Sequence, residues 1–126
     1  MNENSTKGNI SVSVFAMPSD TNSQNTIFGG WLLSHMDLAG LVECKQYSPG
    51  RYVTVGIEQM KFLQPVLVGD LVKIYTNVHK TGKTSITIKL LAEANRLNGE
   101  DSFIVTEGLF TYVKTSSDGA TTIPLK

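Results

Sequence analysis

Phe28-Gly29-Gly30-Trp31-Leu32-Leu33-Ser34-His35-Met36-Asp37-Leu38-Ala39-Gly40-Leu41-Val42 is the stretch on which the fold turns. The apolar run from Trp31 to Val42 is too long for one strand, so it predicts a helix apolar on nearly all sides. Such a helix is normally buried. Asp37 sits in the middle of it, and an unpaired buried carboxylate costs several kcal/mol. The acid is therefore protonated, paired or kept for chemistry. Gly29 and Gly30 open the helix, where free backbone N–H groups and the positive end of the helix dipole face outward. A lone carboxylate together with an oxyanion-binding helix start points to acyl chemistry.

Outward from the helix, the pattern changes. Towards the N-terminus, Pro18 to Asn25 is a polar loop, and Ile10 to Ala16 alternates as a half-buried strand does. Towards the C-terminus the helix should run to about Tyr47, stopped by Ser48-Pro49-Gly50. Tyr52 to Val66 then reads as a long strand with Val53, Val55 and Ile57 on one face. A shift of the apolar phase to Met60 and Phe62 predicts a bulge. Leu71 to Val78, Ser85 to Ala94 and Phe103 to Val113 are further strands, with Asn98-Gly99 as a hairpin turn. Short connections favour antiparallel neighbours, so the fold class is α+β, one antiparallel sheet wrapped around one long central helix.

The chain has 126 residues, the size of one domain, with a polar N-terminal arm (1–9) and a C-terminal tail (115–126) expected to be loosely ordered. Eleven basic and eleven acidic side chains balance to a formal charge of zero, which gives no pull towards nucleic acid or an anionic membrane surface. No apolar stretch approaches the roughly 18 residues that span a bilayer. The opening residues carry no apolar signal core. A single cysteine, Cys44, excludes an internal disulfide and a cysteine-rich zinc site. A cytoplasmic location is the expectation.

Helix arithmetic then constrains the chemistry. Gly30 and Asp37 share a face but lie ~10 Å apart along the axis. A reacting carbonyl must sit about 3 Å from both its oxyanion donors and its attacking group. One helix cannot supply both ends of one site, whereas two antiparallel copies could. The expectation is a two-fold homodimer with composite sites.

These residues also carry a resemblance. Met17-Pro18-Ser19-Asp20-Thr21-Asn22, Ile27-Phe28-Gly29-Gly30-Trp31, Met36-Asp37 and Ala39-Gly40 resemble the bacterial acyl-coenzyme A thioester hydrolases of the hotdog-fold superfamily. Val53-Thr54-Val55, Phe62-Leu63-Gln64-Pro65-Val66, Val68-Gly69-Asp70 and Gly82-Lys83-Thr84-Ser85 continue it, over roughly Ser13 to Tyr112. The resemblance implies a helix wrapped by an antiparallel sheet, a dimer of such units and often a trimer of dimers. It implies an acyl-CoA substrate, coenzyme A entering as part of that substrate, and no metal or redox cofactor. Asp37 matches the catalytic carboxylate, Gly30 the backbone N–H that polarises the thioester carbonyl, and Asn22 a recurrent loop asparagine. For coenzyme A the candidates are Gly29, Arg51, Lys83, Thr84 and Ser85, with Lys80 a further cation for the phosphates, and the resemblance favours Lys83-Thr84-Ser85 among them. The chain departs from the family pattern at Thr26, where relatives often carry Asn or Asp; Asn25 stands one residue earlier.

Rival readings of the same residues are plainer. Asp37 could brace a helix interface, Gly29-Gly30 could serve a tight turn, and Arg51, Lys80 and Lys83 could be ordinary rim charges. His35 lies about 200° around the helix from Asp37, so the two cannot pair. His79 is expected at the surface, and two histidines so placed make no metal site. Cys44 reads as a small buried hydrophobe. A non-catalytic acyl-CoA binding or sensing module is the competing function; a hydratase or dehydratase would need a catalytic His-carboxylate pair that this helix does not offer.

Overall fold

The computed structural model describes residues 7–24, 26–99 and 101–126. The helix α1 (Gly29–Tyr47) lies between β1 (Asn9–Phe15) and four further strands: β2 (Arg51–Phe62), β3 (Leu71–Thr81), β4 (Ser85–Asn95) and β5 (Ser102–Thr115). A 3-10 turn, Pro18–Asp20, breaks the loop between β1 and α1. The sheet is antiparallel throughout, in the order β1-β3-β4-β5-β2. Strand alternation builds the core. Ile86, Ile88, Leu90, Ala92 and Ala94 of β4 are all fully buried, as are Val72 and Ile74 of β3 and Phe110 and Tyr112 of β5. Against them α1 buries Trp31, Leu32, Met36, Ala39, Gly40, Glu43 and Cys44. This is the wrapped helix that the resemblance implies.

Three features of the frame differ from the sequence expectations. First, β2 does not pair with the strand that follows it. It lies at the sheet edge beside β5, and the segment 63–70 carries the chain across to β3. That crossover is braced by Asp70, which is buried and accepts hydrogen bonds from the Leu67 amide (2.8 Å) and the Arg96 guanidinium. Second, Val53, Val55 and Ile57 do not share a face. The register slips between Thr54 and Gly56, so Thr54 stands opposite Tyr112 and Ile57 opposite Phe110. Cross-strand partners share a face, so this bulge turns Ile57 to the side of Thr54. A second slip, between Glu58 and Lys61, fulfils the bulge expected near Met60, with Gln59 in the left-handed region at φ 55°. Third, the C-terminal segment is not loose. Ile123 donates its amide to Lys114 O (2.8 Å), Leu125 to Lys83 O (3.0 Å), and Ser48 Oγ bonds Leu125 O (2.7 Å). At the other terminus, Lys7 pairs with Glu93 and Asn9 begins β1; residues 1–6 of the expected arm lie outside the described residues.

Apolar surface remains uncovered along one flank. Leu38 (54% exposed) on α1 lies on the same open side as Val42, and the edge strand β2 exposes Val55, Ile57 and Phe62. A long, half-paired edge strand carrying apolar side chains is a surface that folded proteins normally cover. No described helix is long and apolar enough to cross a membrane.

Candidate active site

Asp37 stands midway along α1, half-buried, at the edge of the covered surface. The Thr54 hydroxyl of β2 donates to Asp37 Oδ1 at 2.6 Å, a short bond of the charge-assisted kind. No described residue bonds Oδ2. Behind it, the Tyr112 hydroxyl donates to the Asp37 main-chain carbonyl at 3.0 Å. Burial, reinforced by the nearby Asp37 carboxylate, pushes the Tyr112 phenol far above its ordinary range, so it remains a donor at every accessible pH. Two strands thus fix this acid, one by its side chain and one by its backbone.

Gly40 makes that second contact possible. A Cβ built there would overlap the Tyr112 hydroxyl and ring carbons. Gly40→Ala should therefore force α1 away from β5 and destabilise the fold by about 2 kcal/mol, within the range of overpacked cores. Denaturant melts of the two proteins check this. Equal midpoints would show that the helix does not depend on this close approach.

At the start of α1, neither glycine is demanded by the protomer's own backbone. Neither Gly29 nor Gly30 has a positive φ. A Cβ at Gly29 would meet only the Phe62 ring, at 3.7 Å, and one at Gly30 only the Phe28 ring, at 3.3 Å. The tight-turn reading of the pair thus finds no support in torsion, and the only crowding is at Gly30, against the exposed Phe28 ring. Both glycines are exposed, and the N-cap residue Phe28 offers no side-chain cap. Trp31 N–H turns back to Phe28 O (3.1 Å), while the N–H groups of Gly29 and Gly30 have no partner among the described residues. Gly29, though not Gly30, borders a pocket of about 280 Å³. Its rim is Phe28, Gly29, Phe62, Leu63, Gln64 and Pro65, and its floor is Ile27, Leu32, Val66 and Thr106.

The remaining expected site residues fall in two places. Asn22 lies in the loop leading to α1, where its Oδ1 accepts the amides of Gln24 (2.8 Å) and Thr26 (3.2 Å) and its Nδ2 donates to Thr26 Oγ1 (3.1 Å). Its side chain is committed to shaping that loop, which Thr26 completes. Asn25 is outside the described residues. Arg51, Lys83, Thr84 and Ser85 gather at the opposite end of the sheet, beside the end of α1. Lys114 N bonds Thr84 O, Arg51 Nη1 bonds Ser117 O, and Lys83 borders a cavity of about 330 Å³ with Tyr47, Pro124 and Leu125. A 19-residue helix is about 28 Å long, so this cluster and the glycine pair cannot meet within one protomer. Asp37 and Gly30 are likewise held apart on one helix.

The other reactive side chains are occupied or inert. Burial, reinforced by Glu43 and Asp37, raises the Cys44 thiol to about 12, so it does not ionise as a nucleophile. His35 packs against Trp31 with the rings tilted at 59° and their centroids 4.6 Å apart, and His79 is exposed. The buried Glu43 is held by Thr76 Oγ1 (2.7 Å) and Asn9 Nδ2 (3.2 Å). Glu58 is exposed, and Glu107 pairs with Lys61 at 3.6 Å. Among the described residues no group of three ligating side chains could hold a metal.

The model of the family described as "Thioesterase superfamily" matches residues 24–96. The chain belongs to the thioesterase superfamily. The matched span of this thioesterase holds the glycine pair, Asp37 and Thr54, but not Thr106 or Tyr112. The chain is 42% identical over 120 residues to the acyl-CoA thioester hydrolase YciA of Salmonella typhimurium, covering 93% of this chain and 90% of that protein. It is 40% identical over 116 residues to YciA of Escherichia coli, covering 90% of this chain and 88% of the other. Among solved structures, a hexameric hotdog-fold thioesterase of Campylobacter jejuni superposes with a TM-score of 0.89 at 38% identity, over 95% of this chain and 92% of that one. A hexameric thioesterase from Yersinia pestis gives 0.86 at 41%, over 90% and 93%.

Proposed function

We propose that this thioesterase hydrolyses acyl-CoA, giving the free acid and coenzyme A, at composite sites shared by two antiparallel protomers. The single observation that carries the composite site is the half-built one: unpartnered glycine amides at the start of α1, where Gly29 borders a pocket, and a positioned carboxylate ~10 Å away along the helix. A second copy, packed two-fold on the exposed β2 edge and the Leu38–Val42 flank, would bring its Asp37 to the first copy's glycine mouth. The same operation would place the partner's Arg51, Lys83, Thr84 and Ser85 end near that mouth, where the phosphates of coenzyme A need cations. The hexameric state of the relatives supports such self-association, and a trimer of dimers is the fuller assembly. We place the enzyme in the cytoplasm, where acyl-CoA is made and used.

In this site the Gly30 N–H, with that of Gly29, takes up charge on the thioester oxygen as the carbonyl becomes tetrahedral. Asp37 Oδ2 removes a proton from the attacking water. The new C–O bond forms, the C–S bond breaks as the intermediate collapses, and the departing thiolate takes back the proton. The alternative route has Asp37 attack directly, forming a mixed anhydride that water then cleaves. A single turnover in heavy-oxygen water separates them, because only the anhydride route leaves label in the enzyme's carboxylate. The whole proposal is tested by free-thiol release from a panel of acyl-CoAs. Turnover is the expected result, whereas saturable acyl-CoA binding with no thiol released would make the chain a binding module.

A further inference from the structure

Beneath the pocket at the helix mouth lies a buried hydroxyl with no structural employment. Thr106 is fully buried on β5, borders the pocket, and its Oγ1 has no hydrogen-bond partner among the described residues. Its cross-strand neighbours are Phe62 on β2 and Ala92 on β4, neither of which offers a polar side chain. A buried hydroxyl without a partner is unfavourable, and an apolar residue of the same shape would fill the position without that cost. Such a group on the floor of a ligand pocket points to a partner carried in by the ligand.

Depth decides which part of the ligand that is. Gly29 lies at the exposed rim with Phe28, Phe62 and Leu63; Thr106 lies beneath, among Leu32 and Val66. An acyl group whose carbonyl is held at the Gly29 end of this rim sends its chain down to Thr106. We propose that Thr106 makes the pocket selective for short acyl groups carrying a hydroxyl or oxo oxygen over alkyl groups of equal length. This inference rests on the thioesterase reading and adds a substrate class to it. A hydroxyl of the substrate can both donate to and accept from Thr106, whereas a methylene leaves Oγ1 unpaired. Sites built to bond a polar group reject the analogue that lacks it far more strongly than apolar pockets reject a methyl change.

The test compares kcat/KM for butyryl-CoA with that for 3-hydroxybutyryl-CoA and 4-hydroxybutyryl-CoA, in the wild type, Thr106→Val and Thr106→Ser. The wild type should favour at least one hydroxyacyl substrate by about tenfold, Thr106→Ser should retain that preference, and Thr106→Val should lose it. Because valine removes only an unpaired hydroxyl, its melting temperature should equal or exceed that of the wild type. A preference unchanged in Thr106→Val would overturn the proposal. So would a wild type without any preference, or a valine variant that melts several degrees lower, which would assign the hydroxyl to the fold. Absence of thiol release from every substrate by the wild type would instead sink the hydrolase reading itself.

Discussion

Asp37→Asn should lower kcat by at least about a thousandfold while leaving the melting curve and the oligomeric state unchanged. The amide is the same size as the carboxylate and can still accept from Thr54, now at 2.6 Å from Oδ1, so the helix has no reason to move. What disappears is the capacity to take a proton or to attack a carbonyl. Both mechanistic routes need that capacity, so the loss does not depend on the choice between them. A graded companion is Thr54→Val. It keeps the acid but frees its side chain to rotate, and it should reduce kcat about tenfold with KM little changed. If Asp37→Asn turned over at near wild-type rates, the carboxylate would be a bracing group and the chemistry would have to be sought elsewhere. If Thr54→Val matched Asp37→Asn, the threonine would be acting on the substrate and not through the acid.

The helix was legible because its signals are local. Glycines at its start, an apolar body and Ser48-Pro49-Gly50 after it each act within a few residues, and the helix occupies Gly29–Tyr47. The same holds for β4, whose alternation from Ile86 to Ala94 lies wholly in the core. Sheet order was not legible, since nothing within residues 51–70 says that β2 will leave its successor and join β5. That choice is made by distant packing and by the Asp70–Arg96 brace across 26 positions. The bulge at Val55 was hidden for a related reason: Val, Gly and Ile in sequence look like continued alternation, and only the partner strand reveals the slip. In the site, Asp37 stood out as a charge in an apolar run. Thr54, Tyr112 and Thr106 did not, because threonine and tyrosine are ordinary strand residues and their roles exist only once strands face the helix. Thr54 gave the one available signal, a polar residue between valines, set to face away from them.

Gly30→Pro should cut kcat by about a hundredfold to a thousandfold, the usual loss when one oxyanion donor is removed. A backbone N–H can be deleted in no other single-residue way, and the first turn of a helix is where proline is tolerated, since no intrahelical bond is lost there. The ring would approach Phe28, whose phenyl already lies 3.3 Å from the place of a Cβ, and Phe28 is exposed enough to yield. Gly30→Ala is the control: it keeps the N–H, crowds the same phenyl, and should retain most of the activity. Equal losses in the alanine and proline variants would mean that crowding, not the donor, matters. The proline variant also tests the shared site. Mixing Asp37→Asn protomers with Gly30→Pro protomers gives, in each mixed dimer, one site with both defects and one with neither. Subunit exchange should then restore about a quarter of wild-type turnover from two nearly inactive proteins, since half the random dimers are mixed and each carries one intact site. If the acid and the amide of one site came from the same chain, every site in the mixture would be defective and no activity would return.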